Sequence, residues 1–94
     1  MTCVWADFNG LFGDILCLSH KDFSLDPNNA QVTLQDGMAV TAYMEDADEH
    51  NNPEFLVASG IVRPSPRSLQ CYGSRWVLEI DDKGVRHVRD LPTD

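Results

Sequence analysis

The residues best equipped for chemistry crowd into one stretch. "GMAVTAYMEDADEHN", residues 37–51, ends in Glu45, Asp46, Asp48 and Glu49, with His50 beside them. Carboxylates at this density suit three tasks: chelating a hard cation, moving protons, or pairing with a basic partner. A calcium loop takes oxygen ligands at its first, third, fifth and twelfth positions and a glycine at the sixth. Started at Asp46, that template meets Asp48 and His50 at the next two ligand positions, but Asn51 stands where glycine belongs and Val57 where the bidentate glutamate belongs. The calcium-loop pattern fails. A looser set of Asp46, Asp48 and Asn52 is the remaining oxygen-rich option, and neither a metal nor a cofactor is assigned. Carboxylates in a wet turn also keep ordinary acidity, which unfits them for proton transfer near neutral pH.

Softer ligands and nucleophiles fare no better. Cys3, Cys17, Cys71, His20, His50 and His87 are scattered singly, and only Cys17 and His20 have a ligand-like spacing. The chain has no G-x-S-x-G elbow and neither of the glycine-rich phosphate loops. No catalytic residue is assigned, and a non-enzymatic role is expected. Three cysteines without a C-x-x-C pair do not read as a disulfide framework, so three reduced thiols in a cytoplasmic protein are expected.

Charge is unevenly divided. Residues 1–62 carry ten acidic residues against Lys21 alone, while residues 63–94 carry six basic residues against five acidic ones, for a net charge of −8. Such an excess repels phosphate and anionic lipid, which argues against direct binding of nucleic acid or membrane and favours a basic protein partner. Two other functions fit the same excess: a nucleic-acid-mimicking inhibitor, and a small-ligand or metal-binding barrel. No apolar run approaches the length of a membrane-spanning helix, and the amino terminus lacks the pattern of a secretory signal.

The elements that position these residues read as strands. Asn9-Gly10 predicts a type I′ hairpin turn joining two strands within residues 3–19, with Phe8, Ala6 and Val4 on one side and Trp5 facing Asp14 on the other, half-exposed side. Residues 20–30 read as a connection and residues 31–34 as a short strand leading into an Asp36-Gly37 turn. In residues 38–46, Met38, Val40, Ala42 and Met44 form the core face, which turns Tyr43 and Glu45 outward. Either Phe55, Val57, Ser59 and Ile61 or Leu56, Ala58, Gly60 and Val62 face inward on the next strand, the second set being preferred. Residues 64–74 read as a loop. Trp76, Leu78 and Ile80 then face inward, with Arg75, Val77, Glu79 and Asp81 outward, before Asp82-Lys83-Gly84 turns the chain into a second hairpin.

The sum is a single domain over residues 1–94, all-β, built as a small antiparallel barrel of about six or seven short strands in the manner of SH3-like or OB barrels, with little helix. The expected function is that of an acidic protein-interaction module, an adaptor, inhibitor or assembly factor. Its contact surface is the acidic tip of Glu45, Asp46, Asp48 and Glu49 with the adjacent Tyr43 and Phe55. An aromatic ring beside carboxylates suits a Lys or Arg side chain, cation–π attraction adding about 0.5–2 kcal/mol. Strands around residues 2–8 or 85–91, if left at a sheet edge, are where a second copy would pair to form a homodimer.

Overall fold

The computed structural model describes residues 2–66 and 74–91. Among these residues nine strands form in chain order: β1 (Cys3–Trp5), β2 (Leu11–Phe12), β3 (Ile15–Ser19), β4 (Phe23–Leu25), β5 (Gln31–Thr33), β6 (Ala39–Ala47), β7 (Pro53–Pro64), β8 (Trp76–Ile80) and β9 (Arg86–Val88). The main sheet runs β1-β6-β7-β8-β3-β2, with β9 also on β7, and β4-β5 make a separate ribbon. The protein is therefore all-β, as expected. The sheet is mixed rather than purely antiparallel, because β1 lies parallel to β6, and its path among the described residues does not close into a barrel. No helix among these residues is long and apolar enough to cross a membrane.

The Asn9-Gly10 hairpin does not form. Asp7 caps a short 3-10 turn over Phe8–Gly10, its carboxylate accepting the Asn9 amide at 3.0 Å. This local bond competes with the type I′ turn and wins. It tucks Phe8 into the core and frees β1 to join β6. The tight reversal falls instead at Gly13, where φ is +62°, and pairs Phe12 with Ile15.

The β6–β7 hairpin is the backbone of the fold, paired without interruption from Ala39↔Ile61 to Ala47↔Pro53. Strict alternation divides its side chains between two cores. Val40, Ala42, Ala58 and Val62 join Val4, Leu16, Leu34 and Leu78 in the larger core, with Met38, Met44 and Leu56 packed against it. The expected inward face of β6 and the preferred face of β7 are both found. The opposite face is not left wet: Tyr43 and Val57 pack with Cys3 in a second cluster, covered by Phe55, Val88 and Leu91. Tyr43 is only 5% exposed, so the expectation that it points to solvent is corrected. Val77, also expected outward, is buried.

Gly60 sets the spacing of β7 and β8. A Cβ there would lie 2.0 Å from the Glu79 carbonyl oxygen, so only glycine permits the approach. Beyond Ile80 the chain turns through Gly84, at φ +67°, but the expected second hairpin is absent: β9 pairs with the first half of β7, at Phe55↔Val88 and Val57↔Arg86. Cys17 is disulfide-bonded, which departs from the expectation of three thiols. Most of the predicted loop at residues 64–74 lies outside the described residues.

Candidate functional site

The acidic burst divides among separate environments instead of converging. Asp48 builds the hairpin tip. Its Oδ1 accepts the amides of His50 at 2.8 Å and Asn52 at 2.9 Å, while Asn51 takes the left-handed conformation at φ 63°. These bonds, that from Asn52 foremost, hold the Asp48 carboxyl below its ordinary range. The β4–β5 ribbon repeats the device: Asp26 Oδ1 accepts the amides of Asn28 and Ala30 at 2.8 and 2.9 Å, with Asn29 at φ 64°. A bond pattern shared by two loops of different position is turn chemistry. Glu49 faces solvent and, among the described residues, meets only His50, at 3.6 Å.

Strand alternation sends Glu45 and Asp46 to opposite faces. Asp46 lies opposite Glu54, and its carboxylate gathers with those of Glu54 and the imidazole of His87, all three ligand atoms lying within 4.8 Å of one another. Glu45 instead faces β1, where its Oε2 accepts the indole N–H of Trp5 at 3.1 Å. Phe55 is half-buried and meets Tyr43 edge-on, with ring centroids 6.3 Å apart. Burial, then the charge of Glu45, raises the Tyr43 hydroxyl above its ordinary acidity range. Of the six predicted contact residues, Glu45 borders a large aromatic side chain open to solvent.

That ring belongs to Trp5, which is 41% exposed. The predicted half-exposed position of Trp5 is found, though its neighbour is Glu45 and not Asp14. Two concavities of about 430 and 540 Å³ meet at Trp5, Leu18, Ser19 and His20. The first extends past Phe12 and Asp7, the second past Phe23, Leu25 and Pro27 to Glu45. Phe12 and Leu25 are themselves exposed. Lys21 already places its ammonium 5.5 Å from the centre of the Phe23 ring, so a cation rests on an aromatic face within the groove. A larger concavity of about 650 Å³ over β6, β7 and β8 is lined without any aromatic side chain.

Side chains with nucleophilic atoms serve the fold here. Ser74 donates to the Ser19 or Trp76 carbonyl at 3.1 and 3.0 Å, and Ser19 donates to the Phe23 carbonyl at 2.7 Å. The Cys3 thiol is buried, which pushes its acidity range up and away from the reactive thiolate. Comparison of the chain with protein-family models, with curated proteins and with solved structures finds no match.

Proposed function

We propose that this chain is a protein-interaction module that binds an extended basic segment of a partner in the groove centred on Trp5. The observation that carries the reading is the Trp5 indole itself: a large ring left open to solvent where two concavities join, its N–H tied to the Glu45 carboxylate. Exposed aromatic rings in concave settings supply most of the energy at binding surfaces. Glu45 and Asp7 on the rim, together with the net charge of −8, favour Lys and Arg on the partner and speed its approach. The acidic tip then acts through long-range attraction, while contact is made by Trp5, Phe12 and Leu25.

Selection of peptides from a phage-displayed random library on the immobilised chain tests this. The recovered peptides should be rich in Lys and Arg with an interspersed apolar residue, and Trp5→Ala and Glu45→Lys should each abolish their binding in folded protein. Binding that survives both substitutions overturns the proposal, as does recovery of no peptide above background.

A further inference from the structure

At the far end of the β6–β7 hairpin, on the face shared with the larger core, Asp46, Glu54 and His87 form a cluster that the groove does not use. Met44 and Leu56, packed against that core, form the preceding pair on the same face, so the cluster stands on an apolar floor. Three adjacent strands fix it: Asp46 is directly opposite Glu54 in the β6–β7 ladder, and His87 is paired with Leu56 from β9. We propose that these three side chains bind a divalent transition-metal ion of the zinc type, with the remaining coordination left to water or to a side chain of a partner.

The first argument is charge. Like charges placed directly opposite across a ladder repel, and the Glu54 side chain is only 14% exposed. His87 Nδ1 lies 2.7 Å from Glu54 Oε1, yet one imidazole offsets at most one of the two carboxylates. The Asp46 carboxylate makes no hydrogen bond or ion pair with another described side chain. Arg89, the basic residue two along from His87 on the same face, is directed to Asp48 at 3.8 Å, and Arg86 alternates to the opposite face. A divalent ion would offset both carboxylates at once.

Geometry and ligand type narrow the choice. Zinc holds nitrogen and oxygen ligands at about 2.0–2.2 Å, which sets tetrahedral ligand atoms about 3.3–3.6 Å apart. Ligand atoms already within 4.8 Å reach that spacing by side-chain rotation on fixed strands. An imidazole with two carboxylates suits zinc, cobalt or manganese, whereas calcium and magnesium prefer oxygen throughout.

Titration of the full chain with Co²⁺, read by visible absorption and then by displacement with Zn²⁺, tests the site separately from peptide binding. The expected result is saturation at one equivalent, with the intense bands of four- or five-coordinate cobalt. His87→Ala, Asp46→Asn and Glu54→Gln should each weaken binding by about tenfold or more, while His20→Ala and His50→Ala leave it unchanged. Circular dichroism checks each fold, and the Asp46→Asn variant of an exposed residue serves if His87→Ala does not fold. Octahedral cobalt bands only, no saturable uptake, or binding indifferent to Asp46 and His87 would each overturn the assignment.

Discussion

Gly60→Ala should be among the most damaging single-methyl changes in this chain. The added Cβ would sit 2.0 Å from the Glu79 carbonyl oxygen and 2.8 Å from its carbon, both main-chain atoms that no rotamer can move. A carbon and a carbonyl oxygen normally meet at about 3.3 Å, so β7 and β8 must part by about 1.3 Å. Parting stretches the bond from the Asp81 amide to the Ser59 carbonyl, now 2.9 Å, past the range of a hydrogen bond, and its neighbour in the ladder with it. Two such bonds are worth about 1 kcal/mol each. Overpacking adds about 1–3 kcal/mol, for a loss of about 3–5 kcal/mol from a domain stability that is typically about 5–15 kcal/mol. Urea unfolding, compared at equal slope, measures the change. Gly84→Ala is the control: its φ of +67° strains alanine, but nothing lies within 4 Å of the new Cβ, so the cost is about 1–2 kcal/mol. A Gly60→Ala loss no larger than that of Gly84→Ala would refute the close approach of β7 and β8.

Two further outcomes follow from single residues. The Asp48 carboxyl is held below its ordinary value of 3.8 by amide bonds, so its charged form stabilises the fold above that pH, and the contribution is lost as pH falls through the lower value of the folded state. Acid unfolding of Asp48→Asn should accordingly start from lower stability and decline less steeply over that interval than wild type; parallel curves would contradict the reading. Alkylation of the unreduced, denatured chain followed by peptide mass spectrometry should leave Cys17 unmodified, as its disulfide requires, and a labelled Cys17 would show that the bond is not made.

Local patterns in the sequence were legible where one rule acted alone. Alternation placed Val40 and Ala42 in the core, and the Asp82-Lys83-Gly84 run marked a real turn. The errors arose where a distant partner decided the outcome. Nothing near β1 signals its parallel pairing with β6, and the Asn9-Gly10 signal yielded to the cap from Asp7. Alternation points Tyr43 outward because it distinguishes two faces but cannot say that both are covered; the second cover comes from Val88 and Leu91, more than forty positions away in the chain. The same limit hid both candidate sites. Trp5 and Glu45 meet only through the β1–β6 pairing, and Asp46, Glu54 and His87 only through β9, whereas the visible density of acids at residues 45–49 was partly turn chemistry.

The role of Trp5 can be read directly by nuclear magnetic resonance on the ¹⁵N-labelled chain, titrated with a selected basic peptide. The two indole N–H signals, of Trp5 and Trp76, serve as probe and internal reference. The account predicts that the Trp5 indole signal shifts in a saturable way, along with the amides of Phe12, Leu25 and Glu45, while the Trp76 indole signal stays in place. A stationary Trp5 signal, with shifts confined to the Asp48–Asn52 tip, would contradict it.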